Sequence, residues 1–256
     1  MQITSHHPPG PVRATAALAT ILSVLTAVPH AARAADAFDF VVREGTELRS
    51  DGQPFPAVGV NCYYLMVYGA ETSLRAHVDE VFDAAQTLGA TVLRTWAFND
   101  GAGEWNALQT APGIYTEKVF KGLDYAVKRA GEKGIRLLLP FVNNWDDYGG
   151  MNQYLAWSGS GGSHDDFYTD AQVKVWYKDH VRKVLTRVNT FTGVAYMDDP
   201  AIFGWELANE PRAQEKGVAT LNAWIGEMAA HVKGIDSKHI LSTGSEGFYG
   251  PGASGK

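Results

Sequence analysis

The sequence predicts an α/β protein of the (β/α)8 TIM-barrel type, with only about five of the eight β/α units present. Three observations predict it. Compact apolar runs alternate strictly with longer segments of helical period. Most of the runs are too uniformly apolar to have one wet face, which points to parallel strands covered on both sides. The runs also lead into stretches rich in Asn, Asp and Trp, such as Trp96 to Asp100, Asn143 to Gly150 and Asn209 to Arg212, where barrel enzymes build their sites. The competing fold, a doubly wound sheet, binds nucleotides through a Gly-rich turn after its first strand. Gly59 to Ser73 holds neither GxGxxG nor GK(S/T) there, so that fold and a nucleotide cofactor lose their main support.

The elements follow in order. Phe40 to Arg43 and Glu47 to Arg49, with the Asp51-Gly52 turn, read as a hairpin. The five strand runs are Ala57 to Cys62, Thr91 to Phe98, Ile135 to Asn143, Ile202 to Ala208 and His239 to Gly244. Between the first two, Thr72 or Ser73 opens a helix with Leu74, Val78, Val81, Ala85 and Leu88 on its apolar face and Gly89 at its end. Thr116 opens the second helix, with Val119, Leu123, Val127 and Ala130 inward and a stop near Gly131 to Gly134. Thr169 with Gln172 forms a capping box ahead of Val173, Trp176, Val181, Val184 and Val188. The fourth helix carries Leu221, Trp224, Ile225, Met228 and Val232 and ends at Gly234.

Composition narrows the function. The chain has 256 residues, 45% hydrophobic and 20% charged, which is the make-up of a folded globular protein. The net charge of −6 and the lack of any Lys/Arg run beyond two residues leave no footprint for nucleic acid or for an anionic membrane. Arg13, the apolar stretch Ala14 to Val28 and the small-x-small site Ala32-Arg33-Ala34 read as a secretory signal peptide over residues 1–34, a buried N-terminal helix being the alternative. The apolar stretch is too short for a comfortable membrane span. Residues 35–256 then form the domain, in a secreted or periplasmic protein expected to be a monomer. Cys62 is the single cysteine, so no intramolecular disulfide forms, and its apolar neighbours make it a structural thiol. The histidines show no HExxH and no pair at ligand spacing, and Asp165-Asp166 and Asp198-Asp199 read as loop and cap residues; neither a metal nor another cofactor is expected. His77, His180 and His231 fall on helices, where a solvated or partly packed role is the default.

The chemistry gathers in the fourth strand and its end, Gly204 to Arg212. A glutamate at the C-terminal mouth of a barrel strand can sit half-buried and serve as a general acid. Pro211 cannot continue the ladder, so Glu210 marks the strand terminus. Taken by itself, Glu-Pro at a strand end also fits a surface carboxylate. Arg94 inside an apolar strand requires a carboxylate partner, and a buried pair with Glu206 would satisfy it.

Asn209-Glu210-Pro211 after Trp205-Glu206-Leu207, together with Arg94 to Asn99, resembles clan-A glycoside hydrolases of family 5. Asn144 to Gly150 and Glu246 to Gly250 are similar to the endo-β-1,4-mannanases of that family, and the resemblance runs from about Phe38 to the end of the chain. It implies a mannan-type polysaccharide substrate and a (β/α)8 fold. It further implies that Glu210 is the acid/base, that Asn209 binds the sugar 2-hydroxyl in the −1 subsite, and that Arg94 orients the nucleophile. Asn144 falls in a matching segment and is expected to bind substrate. Trp96, Trp145 and Tyr148 at strand ends are candidate sugar platforms, whereas Trp176 and Trp224 have helical spacing and read as core. Gly149 to Tyr168 reads as a loop of roughly 20 residues that includes Trp157, either a cleft wall or, around Gly159 to Gly162, a mobile surface segment.

The family's nucleophile is a glutamate at the end of the seventh strand, and five strands are counted here. The chain is therefore expected to be the N-terminal portion of a longer enzyme, with the nucleophile beyond it. Glu246 is the alternative nucleophile, although the resemblance makes it a loop or outer-subsite residue. A related β-glucanase and a non-catalytic carbohydrate binder are the competing functions.

Overall fold

The computed structural model describes residues 39–159 and 162–247. The predicted leader lies outside them, as do Phe248, Tyr249 and Gly250 of the last matching segment. Five parallel strands form the central sheet: β4 (Gly59–Asn61), β5 (Val92–Arg94), β8 (Arg136–Pro140), β9 (Ile202–Glu206) and β10 (Ile240–Ser242). Their spatial order is their chain order, each strand pairing in parallel with the next. A doubly wound sheet must reverse strand order at a switch point, and this one does not. The sequential order is that of a barrel wall, and it places every strand's C-terminal end along one rim.

The helices lie between the strands in the chain and supply the main core. They are α1 (Leu65–Gly69), α2 (Arg75–Thr87), α3 (Glu117–Lys133), α4 (Gly150–Ser158), α5 (Ala171–Leu185) and α6 (Gly217–Ile235). Leu93, Leu137, Leu139 and Trp205 face this layer, with Val78, Phe120, Leu123, Val181 and Trp224. All five residues of β9 are buried, as expected of a strand covered on both sides. On the other side of the sheet, Val92 and Phe203 pack with Val41, Leu48 and Phe55. The latter three come from or adjoin an antiparallel sheet made by β1 (Val42–Glu44), β2 (Glu47–Ser50) and β3 (Gln53–Pro54). Arg136 ties this small sheet to the wall, donating through Nη2 to Ser50 Oγ and to the Asp39 carbonyl, each at 2.9 Å.

α1 meets α3 through a pair of glycines. A Cβ on Gly69 would come within 2.6 Å of the Gly122 carbonyl, and one on Gly122 would collide with the Met66 carbonyl and the Ala70 amide. Only bare backbones allow the two helices to approach this closely.

Several expected boundaries are corrected. Thr72–Leu74 is a 3-10 turn ahead of α2, and Leu88 is 71% exposed because the helix has already ended. The α5 cap is Asp170 and not Thr169: its carboxylate accepts the N–H groups of Gln172 and Val173 at 2.8 and 2.9 Å. A carboxylate accepts two orphan donors where the expected box would satisfy one with a hydroxyl. Val188 lies past the end of α5 and is exposed, and Gly234 lies inside α6. β5 stops at Arg94, although Thr95 and Ala97 still donate backbone bonds to β8. The long loop expected at Gly149 to Tyr168 holds α4 and a 3-10 turn, His164–Tyr168. A hairpin of β6 (Gln109–Ala111) and β7 (Ile114–Tyr115), also unforeseen, follows β5. His180 is fully buried, and burial lowers its pKa to about 4, so it is neutral near pH 7. Cys62 is buried and burial pushes its thiol pKa up, which fits a structural thiol. Trp224 is in the core, and Trp176 packs against it half-buried.

Candidate active site

The rim at the strands' C-terminal ends brings together the residues that sequence reasoning singled out. Glu210 follows β9 by four residues and is half-buried. Its backbone takes φ +54°, a left-handed conformation that few non-glycine residues adopt. The backbone is fixed there by its N–H, which donates to the Gly244 carbonyl at 3.0 Å beyond β10. Its side chain is fixed by Trp145, whose Nε1–H donates to Glu210 Oε2 at 2.7 Å. With Oε2 held by a donor, Oε1 is the oxygen available to carry and deliver a proton.

Asn209 is buried and immobilised through both ends of its amide. Its Oδ1 accepts from Arg94 Nη2 at 2.8 Å, and its Nδ2 donates to Asn143 Oδ1 at 2.8 Å, leaving one N–H of the amide for another acceptor. Asn143 in turn donates to the Asp147 carbonyl, so the amide orientation is fixed by a chain of bonds.

Arg94 lies on the same side of β5 as Val92, opposite Leu93, as strand alternation requires. Its Nε donates to Glu206 Oε2 at 2.7 Å and its Nη2 lies 2.6 Å from the same oxygen. The two side chains retain only 23% and 10% of their exposure. The buried pair with Glu206 is therefore what meets the charge requirement of Arg94 within this chain.

Trp145 is 40% exposed, with the Arg212 guanidinium 4.8 Å from its ring centroid. Arg212 also forms a bidentate ion pair with Glu246, and its backbone is gripped by Tyr168, whose hydroxyl donates to the Arg212 carbonyl and accepts its N–H. Asn144 is buried, and its Oδ1 accepts the Arg212 N–H at 3.1 Å. Its side chain thus braces the backbone next to the site. Asn144, Trp145, His164 and Arg212 line part of a cavity of about 250 Å³, whose Trp145 wall is the residue that holds Glu210.

Trp96 is half-buried at the end of β5, stacked on Phe98 with centroids 4.8 Å apart and edge-on to Tyr148 at 4.8 Å. Tyr148 also has a positive φ, +61°, and its hydroxyl pKa is pushed up to about 12 by burial and by the neighbouring tyrosines. The turn that carries Trp145 and Tyr148 is held from below. Asp100 donates its N–H to the Tyr148 carbonyl, and its backbone approaches Gly149 so closely that no Cβ fits. The Asp100 carboxyl is fully buried, and burial raises its pKa well above the usual carboxylate range.

Sequence reasoning did not select Asn143, Arg212, Tyr63 or Asp100 for this region. Arg212 was visible as the residue after Asn-Glu-Pro, and Tyr63 as half of the Tyr63-Tyr64 pair at a strand end. Among the described residues no group of three or more His, Cys, Asp or Glu is placed to hold a metal ion, and no helix is long and apolar enough to cross a membrane.

Comparisons with known proteins place the chain in a family. A family model described as GH family 5 beta-mannosidase-like matches residues 38–254. The chain is 54% identical over 204 residues to a putative mannan endo-1,4-beta-mannosidase 5 of Oryza sativa subsp. japonica, covering 78% of this chain and 41% of that protein. It is 48% identical over 244 residues to mannan endo-1,4-beta-mannosidase 1 of the same organism, covering 92% and 56%. The chain spans about half the length of the curated relatives it matches. Among solved structures, an endo-1,4-beta-mannanase from Rhizomucor miehei superposes with a TM-score of 0.77 at 36% identity, covering 84% of this chain and 63% of that one. An endo-beta-1,4-mannanase from Thermotoga petrophila gives 0.72 at 38% identity, covering 80% and 45%. These neighbours are TIM barrels, and the five sequential parallel strands are part of such a barrel.

Proposed function

Because the chain belongs to the glycoside hydrolase family 5 β-mannosidase-like family, we propose that it carries the acid/base side of an endo-β-1,4-mannanase site, acting on mannan, glucomannan or galactomannan with retention of configuration. The observation that carries this reading is Glu210 at the rim, set in a left-handed backbone with Oε2 on the Trp145 indole and next to an immobilised Asn209. In this mechanism the Glu210 carboxyl delivers its proton to the glycosidic oxygen as the C1–O bond breaks, and a nucleophilic carboxylate bonds to C1. The Glu210 carboxylate then takes a proton from water as water displaces the nucleophile. The remaining Asn209 N–H donates to the 2-hydroxyl of the reacting sugar and fixes its position.

Two carboxylates about 5 to 5.5 Å apart are needed for retention. Among the described residues Glu206 is engaged by Arg94 and Glu246 by Arg212, so the reading assigns the nucleophile to neither. It assigns it to a further strand of the family's barrel. The protein acts as a monomer, secreted or periplasmic, a placement supported by the leader-like residues 1–34.

The test is turnover of mannan, β-1,4-glucan and xylan side by side by the full-length enzyme and its Glu210→Gln variant. Mannan is expected to be hydrolysed fastest, and the variant to lose activity while still binding oligosaccharide. Wild-type turnover by Glu210→Gln on mannan overturns the assignment.

A further inference from the structure

A continuous arc of aromatic rings leads away from the site, on the side of β4 and β5. Trp96 lies 5.1 Å from Tyr63, Tyr63 lies 5.5 Å from Tyr64, Tyr64 lies 4.5 Å from Tyr68, and Tyr68 lies 5.9 Å from Trp105. All five residues sit beyond the C-terminal ends of β4 and β5, on the rim that also carries Glu210. The arc ends at an indole that is 54% exposed, with Tyr68 meeting it edge to face at 86°.

An exposed tryptophan alone means little. This one stands on a backbone built to hold it. The buried Asn99 donates through Nδ2 to both the Trp105 and Asn106 carbonyls at 2.9 Å, and its own carbonyl accepts the Leu108 and Gln109 N–H groups. Asn106 takes φ +52° and donates to the Val67 carbonyl in α1 and to Glu71 Oε1, each at 3.0 Å. α1, fixed to α3 at Gly69 and Gly122, also carries Tyr68. The backbone at Trp105 and Asn106 is thus held by Asn99 and by α1, while the Trp105 side chain stays open to water. That arrangement prepares an apolar face for a ligand with an apolar face of its own, at little entropic loss on binding.

We infer that Trp105, with Tyr68 beside it, is a distal platform that stacks a β-1,4-linked hexopyranose unit of the polysaccharide several residues from the cleaved bond. This rests on the mannanase reading above and adds to it a cleft that runs past β5 to the loop after it. The pyranose C–H face meets the exposed part of the indole, and the rings from Trp96 to Tyr68 carry the chain between the two ends. The same site has no place for an isolated disaccharide held at Glu210, so Trp105 discriminates by chain length.

The test is calorimetric titration of the full-length protein with β-1,4-mannohexaose and with mannobiose, in the Glu210→Gln background so that the ligands survive. Trp105→Ala is expected to weaken mannohexaose about fivefold to tenfold and to leave mannobiose unchanged, with Trp105→Tyr recovering most of the loss. Equal mannohexaose affinity in Trp105→Ala overturns the platform. An equal loss for both ligands also overturns it, because it marks a general structural defect. If the parent binds no mannooligosaccharide, the mannanase reading fails and this inference fails with it.

Discussion

Trp145→Phe isolates one hydrogen bond in the proposed mechanism. Phenylalanine keeps a smaller aromatic face for the Arg212 guanidinium, which lies 4.8 Å from the indole centroid, and removes the N–H that holds Glu210 Oε2 at 2.7 Å. A hydrogen bond to a charged group contributes about 1.5–3 kcal/mol. If that bond keeps the acid aimed at the glycosidic oxygen, its loss slows polymer cleavage by roughly 10- to 150-fold. The assay compares kcat/KM on mannan with kcat/KM on a 2,4-dinitrophenyl β-mannoside, whose leaving group departs without protonation, so that only the bond-breaking step is read. Mannan turnover is expected to fall by that factor and the activated substrate to react nearly as before. Equal losses on both substrates refute the reasoning, because they mean that the ring and not its N–H matters. No loss on mannan refutes it as well.

Three further outcomes follow from the geometry. Arg94→Met leaves Glu206 as a buried unpaired carboxylate and is expected to cost about 3–5 kcal/mol, with Arg94→Met/Glu206→Leu recovering much of it; urea unfolding of the two variants checks this. Gly122→Ala places a methyl where the Met66 carbonyl and the Ala70 amide already stand, so it should lower stability by about 1–3 kcal/mol, read as a lower Tm with α1 displaced. Burial alone would raise the Asp236 pKa, but the His239 hydrogen bond and charge and the Trp205 N–H outweigh it and hold it down to about 2. A carboxyl depressed in the folded state stabilises above its unfolded pKa of about 4 and loses that contribution as pH falls toward 2. The urea midpoint is therefore expected to drop between pH 4 and 2, and to drop less in Asp236→Asn.

The barrel wall was legible because burial on both faces writes uniform apolar runs, and Leu137, Leu139 and Ile202 could hardly belong elsewhere. Strand ends were less legible. Thr95 to Phe98 is as buried as a strand, yet it lies past the end of β5, and burial alone does not distinguish the two. α1 escaped because five residues offer no period to read, and α4 because Gly149 and Gly150, both at positive φ, hide its start. The β6–β7 hairpin has its sequence signal in Pro112-Gly113, a turn dipeptide flanked by runs too short to read as strands. In the site, Glu210, Asn209 and Trp145 came from a motif, and the pairing of Arg94 with Glu206 came from charge alone. The support beneath Tyr148 and Gly149 depends on where the Asp100 backbone runs, which no local pattern encodes.

The left-handed backbone of Glu210 bears on how this protein can be engineered. A non-glycine residue in such a conformation costs about 1–3 kcal/mol, and a following proline disfavours helical backbone further. Asn and Gly tolerate it better. A screen that selects for heat resistance alone will therefore enrich Asn or Gly at position 210 and discard the carboxyl. If Glu210 is the proposed acid/base, durability and turnover pull this residue in opposite directions, and a library aimed at a hardier protein has to hold it constant and seek its gains elsewhere.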